Sequence, residues 1–318
     1  MIKFKIAFIC LSFAGLISCK SNNEDQKEME TTPSSSIQVQ GHRGDRGNFP
    51  ENSIPAFISA VKKGVDVLEL DVVISKDKKV VVSHEPYMSS LYVSTPTGDS
   101  ISKANERSYN IFEMTYDSVK QFNAGARGNS LFPNQEKMNT YKPLLSEMID
   151  RVEAFIATEE IPPVKYNIEL KSVESEYGIF QPQPEEFVAL VMKVIKEKEI
   201  EDRINIQSFD PKILNLMHEN YPEIEVAYLV SNGGIEENLS LLRFKPEIYS
   251  PNFRLVKDEQ FVHSVRSLEM KLIPWTVNEQ RDIQRMIDLK VDGIITDYPE
   301  RVLEIKKTTS SLNGEASK

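Results

Sequence analysis

Cysteine is nearly missing from this chain: Cys10 and Cys19 are the only two, and both precede the part that reads as a folded domain. A disulfide framework is therefore excluded there, and stability must come from the core alone. Histidine is scarce as well, with four residues, His42, His84, His218 and His263. Positive charge is in deficit, the formal net charge being −10. A field of that sign argues against a nucleic-acid partner, and any anionic ligand would need a local cluster of cations. No apolar run is long enough to span a bilayer, and neither an internal repeat nor a second domain is visible. What is present, 40% hydrophobic and 27% charged residues, suits a globular protein with a sizeable core.

The first residues stand apart. Lys3 and Lys5 precede an apolar run from Ile6 to Ile17, which ends in Leu16-Ile17-Ser18-Cys19. A basic start, a short apolar stretch and small residues at its end predict a secretory signal peptide over 1–18. The ending resembles a bacterial lipobox, which implies lipidation of Cys19 and a cell-envelope protein anchored to the membrane. Residues 20–36 are almost free of apolar side chains and read as a tether, so 19–36 is expected to be a lipidated flexible segment. Cys10 would leave with the signal, and loss of Lys3 and Lys5 makes the charge −12.

From about 37 to 305, strand-like and helix-like stretches alternate. The strands are expected at 37–43, 67–73, 164–171, 204–208, 224–230, 247–252, 271–277 and 292–296. Amphipathic stretches lie at 53–63, 144–155, 185–198, 211–220, 235–244, 256–270 and 279–289. Eight strand–helix units in roughly 250 residues predict an α/β fold, a (β/α)₈ TIM barrel. An extra β-like run at 79–84 and a loop-rich insertion at about 85–142 follow strand 2, with a possible short helix at 115–122. Long insertions on the C-terminal face of a barrel shape its mouth. The polar stretch 306–318 is expected to be a disordered tail.

Chemistry concentrates in a few places. Residues i and i+2 of a strand share a face, so Glu69 and Asp71 project together, as do Glu169 and Lys171. Carboxylates crowded inside a barrel repel unless a cation lies between them. Glu69, Asp71 and Glu169, oxygen donors without thiolates, select a hard divalent metal, Mg²⁺ or Ca²⁺. The alternative, a solvent-facing edge strand, conflicts with a closed barrel, which has no edge at strand 2. His42 and His84 fall near the C-terminal mouth and can supply one general base and one general acid. His218 and His263, on peripheral helices, read as structural residues. Arg43 and Lys171 provide the positive pocket that the chain otherwise lacks, although Arg43 could instead pair with Asp45. Glu51 either orients His42 or Arg43 or caps the helix that begins near Ser53. Trp275, the only tryptophan, either walls the pocket or belongs to the core.

The order of these motifs carries a resemblance. Gly41-His42-Arg43-Gly44, Pro50-Glu51-Asn52-Ser53, Glu69-Leu70-Asp71, His84-Glu85, Glu169-Leu170-Lys171 and the ending at 292–299 together resemble the glycerophosphodiester phosphodiesterase family. The resemblance spans nearly the whole chain beyond the tether. Ser53 stands where the family has threonine and Glu85 where aspartate is usual, which leaves the role of position 85 open. What it implies is metal-dependent hydrolysis of a small-molecule glycerophosphodiester to glycerol 3-phosphate and an alcohol, with His42 and His84 in acid/base roles and an aromatic at Trp275 beside the substrate. Two rivals stay open: a phospholipase-like diesterase acting on lysophospholipid or phosphoinositide head groups, and a catalytically inactive ligand-binding lipoprotein. Retention of His42, His84, Glu69, Asp71 and Glu169 together weighs against the second.

Overall fold

The computed structural model describes residues 37–315, with side chains to 308. The expected signal peptide, the lipidation site Cys19, the tether and positions 316–318 lie outside the described residues. Among the described residues nine strands form: β1 (Gln38–Gly41), β2 (Val67–Ile74), β3 (Val80–Val82), β4 (Lys165–Leu170), β5 (Ile204–Ser208), β6 (Glu225–Val230), β7 (Ile248–Pro251), β8 (Lys271–Leu272) and β9 (Gly293–Thr296). Eight of them pair in parallel in the order β8-β7-β6-β5-β4-β2-β1-β9, while β3 turns back antiparallel on β2. The amide of Asp292 bonds to Leu272 O at 2.9 Å and that of Ile295 to Pro274 O at 3.0 Å, joining the two ends of the sheet. The fold is thus a nearly closed barrel of eight parallel strands wrapped by helices, a TIM barrel.

Alternation along the strands makes two layers. In β2 all eight residues are buried: Leu68, Leu70, Val72 and Ile74 face the helices and join the main core, which leaves Glu69 and Asp71 to face the lumen. The lumen is not uniformly apolar. Ala227, Ile248, Ile273 and Ile295 cluster on one side. On the other, Asn167 Nδ2 reaches Gln40 Oε1 at 2.9 Å and Gln207 Oε1 at 3.1 Å. Gln40 and Asn167 lie on strands separated by β2, so their hydrogen bond crosses the lumen.

The helices are α1 (Ile54–Lys63), α2 (Tyr116–Val119), α3 (Leu145–Thr158), α4 (Pro184–Glu197), α5 (Pro211–Asn220), α6 (Ile235–Leu239), α7 (Glu259–Ser267), α8 (Gln280–Asp288) and α9 (Pro299–Glu315). In α1, Ser53 Oγ caps the amide of Ala56, and Gly64 ends the helix in the left-handed region at φ 89°. Several elements differ from the sequence reading; the helix expected at 235–244 ends at Leu239. The strand at 271–277 is regular only to Leu272, although the amides of Ile273 and Trp275 still reach Tyr249 O and Pro251 O at 3.1 and 3.0 Å; Pro274, between them, has no amide to offer the opposite side. The helix expected at 256–270 is shorter, opening where Asp258 caps the amide of Phe261. Beyond 305, where a tail was expected, α9 continues to Glu315; it starts at Pro299, a residue suited to a first helical turn, and is anchored by buried Val302. The insertion packs a core of its own, in which Val73 and Val81 meet Met88, Tyr92, Val93, Ile101 and Ile111.

Candidate active site

The sequence motifs meet at the C-terminal ends of the barrel strands. Parallel register sets Asp71 beside Glu169 and Glu69 beside Asn167, so the carboxylates of Glu69, Asp71 and Glu169 converge, with one oxygen of each within 4.8 Å of the others. All three are buried. Their donors are defined: the amide of Arg43 to Glu69 Oε2 at 2.9 Å, Gln207 Nε2 to Glu69 Oε1 at 2.8 Å, and Asn52 Nδ2 to Asp71 Oδ2 at 2.8 Å. Lys171 Nζ lies 2.7 Å from Glu169 Oε1 and 3.8 Å from Asp71 Oδ1. Asp71 Oδ1 accepts no hydrogen bond although it is buried.

Three carboxylates at this separation cannot all stay charged without a cation. Burial, with Asp71 and Glu169 adding to it, pushes Glu69 well above the ordinary carboxylate range. Burial also lifts Glu169, to about 7, against the pull of Lys171. Asp71 stays well below its usual value: burial opposes its ionisation, but Arg43, His84 and Lys171 outweigh it. A buried, unpartnered oxygen and two proton-holding carboxylates are what a hard divalent cation would satisfy, the protons leaving as it binds.

The loop between β1 and α1 builds the cationic side. Arg43 and Asn52 have positive φ of 51° and 53°, and the amide of Asn52 bonds to Arg43 O at 3.0 Å. This fold of the loop aims the Arg43 amide at Glu69. Arg43 is buried; its Nη1 meets Glu51 Oε1 at 2.7 Å and its Nε lies 3.1 Å from Asp71 Oδ2. The guanidinium does not pair with Asp45, whose carboxylate takes Ser59 Oγ and Lys63 Nζ, both at 2.6 Å. Glu51 does not cap α1, since Ser53 does; it braces Arg43 and, at 2.8 Å, Arg46 Nε.

Each histidine backs onto a carboxylate. His42 Nδ1 lies 2.6 Å from Asp297 Oδ1, and His84 Nδ1 lies 3.1 Å from Glu85 Oε1. An ionised carboxylate only accepts, so each pairing favours the proton on Nδ1 and leaves Nε2 bare in the neutral ring. His42 Nε2 is 4.0 Å from Glu69 Oε2. Burial lowers both imidazoles: Asp297 opposes this at His42, and Arg43 adds to it at both. Asp297 is itself fixed by Asn278 Nδ2 at 2.7 Å. Trp275 is half-buried, with Nε1 on Ser250 O at 2.8 Å; it packs against the inner cluster and meets Phe209 edge-on at 5.4 Å. Lys171 Nζ lies 5.9 Å from the Phe209 ring centroid. His218 stacks on Phe244 at 4.1 Å, and His263 lies exposed on α7.

Sequence reasoning left Asp297, Asn52, Gln207 and Phe209 without roles. Asp297 lies within the quoted motif at 292–299, and its signal was a carboxylate just after the strand that neighbours strand 1 in a closed barrel. Asn52 was likewise inside a quoted motif. Gln207 and Phe209 flank the end of β5 with no local pattern to mark them.

The model of the glycerophosphoryl diester phosphodiesterase family matches residues 42–301. A glycerophosphodiester phosphodiesterase from Bacillus altitudinis is 30% identical over 271 residues, covering 85% of this chain and 98% of that protein. The crystal structure of a proposed glycerophosphoryl diester phosphodiesterase from Silicibacter pomeroyi superposes with a TM-score of 0.77 at 28% identity, covering 87% and 95% of the two chains. A phosphodiesterase from Oleispira antarctica, solved with its product sn-glycerol-3-phosphate, shares the fold with a TM-score of 0.66 at 24% identity, covering 84% and 95%.

Proposed function

The chain belongs to the glycerophosphoryl diester phosphodiesterase family, and from that premise we propose that it hydrolyses glycerophosphodiesters to glycerol 3-phosphate and an alcohol through paired acid/base histidines. The carrying observation is the convergence of Glu69, Asp71 and Glu169 between Arg43 and Lys171. Those three carboxylates would hold Mg²⁺ or Ca²⁺, which supplies positive charge to a phosphate oxygen and to the attacking hydroxyl. Arg43 is held by Glu51 through Nη1 and lies beside Asp71, so its guanidinium offers the phosphate one positive charge, and Lys171 adds a second cation. One imidazole Nε2 takes the proton of the attacking oxygen as the new P–O bond forms; attack by water gives glycerol 3-phosphate directly, and attack by the glycerol hydroxyl gives a cyclic phosphate that water then opens. The other enters as the imidazolium, protonated on both nitrogens, and gives its Nε2 proton to the alcohol oxygen as that P–O bond breaks, which leaves the Nδ1–H tautomer. Asp297 and Glu85 hold the two rings in the tautomer this exchange needs, and the Trp275–Phe209 pair walls the pocket.

The test is turnover of glycerophosphocholine with and without chelator. Release of glycerol 3-phosphate, abolished by EDTA and restored by Mg²⁺ or Ca²⁺, is expected; undiminished activity in excess EDTA would sink the reading. The cell-envelope location is part of the same proposal, supported by Lys3, Lys5 and the Leu16-Ile17-Ser18-Cys19 ending. In cell fractions, Cys19→Ser should release the activity from membranes; unchanged membrane association counts against the anchor.

A further inference from the structure

The insertion contributes a buried cation that the reaction outlined above does not use. Lys142 is 4% exposed, yet among the described residues no carboxylate lies within 4.0 Å of its ammonium. A buried charge without a contacting counter-charge is costly, and a residue that only filled space here would be apolar. Its hydrogen bonds go to two hydroxyls, Ser83 Oγ at 2.8 Å and Tyr92 Oη at 3.2 Å. Both pass on to one residue. Tyr92 Oη donates to Glu85 Oε2 at 2.9 Å, and Ser83 Oγ donates to the Glu85 carbonyl at 2.6 Å. The direction of this relay is set by chemistry: each hydroxyl has a single proton, gives it to Glu85, and so must accept from Lys142.

The backbone explains how a residue 58 positions beyond His84 arrives there. Val81 and Leu144 form an antiparallel bridge, and the amide of Val82 bonds to Pro143 O at 2.8 Å. The far end of the insertion is thereby laid along β3, with Lys142 next to Ser83. Burial opposes ionisation of Glu85, and His84 and Lys142 together overcome it, holding its carboxyl well below the ordinary value.

We propose that Lys142, acting through Tyr92 and Ser83, is a positioning residue for His84. The buried cation keeps the Glu85 carboxylate in one place and one orientation, and that carboxylate holds the His84 proton on Nδ1 with Nε2 toward the substrate. A glutamate suits the task because its two oxygens address His84 and Tyr92 at once. The proposal rests on the proton exchange assigned above to His84.

Lys142→Met keeps the length of the side chain and removes the charge. Its kcat on glycerophosphocholine should fall about tenfold with KM within about twofold, the usual scale for losing support behind an active-site imidazole. Tyr92→Phe should give a similar loss, and the double variant little more than either alone, because both cut one relay. Nitrogen-15 NMR of the His84 ring should show the Nδ1–H tautomer in the native protein and a mixture in Lys142→Met. That reading needs no turnover, so it stands apart from the choice of substrate. Wild-type kcat together with an unchanged His84 tautomer in Lys142→Met overturns the proposal. If that variant does not fold, Tyr92→Phe, which deletes one hydroxyl, decides by the same two measurements.

Discussion

At the scale of single residues, the two imidazoles have the same support by different routes. His42 leans on Asp297, 255 positions away, and His84 on its own neighbour Glu85. Removing either ring should cost at least about a hundredfold in kcat, the scale for losing a general acid or base. Asp297→Asn should cost about ten- to a hundredfold with KM nearly unchanged, because an amide can turn its NH₂ to Nδ1 and favour the wrong tautomer. His218→Ala, whose ring stacks on Phe244, is the control and should turn over normally. Steady-state kinetics on a diester the native protein hydrolyses decides the matter; wild-type kcat in His42→Ala or His84→Ala would remove the acid/base assignment. Glu51 shows where residue-level reading stops. Its motif marked it, but whether it capped a helix or braced a cation depended on which side of Ser53 the chain turned.

Among the elements, the β1–α1 loop bears the tightest constraint. Gly44 has φ +85°, and a Cβ there would lie 2.6 Å from the carbonyl carbon of Ala56. Neither condition suits an L side chain. Gly44→Ala should therefore lose more than about 1 kcal/mol of stability. It should also lower kcat, because the same loop aims the Arg43 amide at Glu69. Urea melts and kinetics measure both, and an unperturbed melt would show that the loop gives way freely. The strands were legible because their outward positions repeat at period two with Leu, Ile and Val, as in Leu68, Leu70, Val72 and Ile74. Their ends were less so. β8 is regular only to Leu272, and Asp258, not the apolar pattern, decides where α7 begins.

For the molecule as a whole, the buried acidic site couples stability to pH and metal. Burial pushes Glu169 up to about 7 in the fold against 4.5 for its ordinary value, and Glu69 is raised well above its own. Between those values the folded state binds more protons than the unfolded chain, so stability of the metal-free protein falls as pH rises through 7. The lowered histidines act in the opposite sense, but only below about 6.5, their ordinary value. Of the about 3 kcal/mol that a rise from 4.5 to about 7 represents for Glu169, most is lost below pH 7, and about 1 kcal/mol is lost between pH 6.5 and 8. Thermal melts with EDTA and with excess Mg²⁺ or Ca²⁺ should thus diverge over that window, the metal-loaded midpoint exceeding the other by more at pH 8. A gap that stays constant or shrinks with pH would contradict this origin.

Much of the candidate site followed from local pattern. Glu69 and Asp71 share a face because the side-chain period of a strand is two, and Glu169 and Lys171 share one for the same reason. The scarcity of cysteine and histidine narrowed the donor set to carboxylates. The alternation of strands and helices, with its spacing, was sufficient for the barrel. What local pattern could not specify were pairings between distant segments, since those depend on how the sheet closes and where the insertion returns. His42 meets Asp297 only because β9 lies beside β1, and Lys142 meets Ser83 only because Leu144 bridges Val81. The polar half of the lumen is of the same kind. Gln40 and Asn167 reach each other across a space that exists only once the barrel has curled.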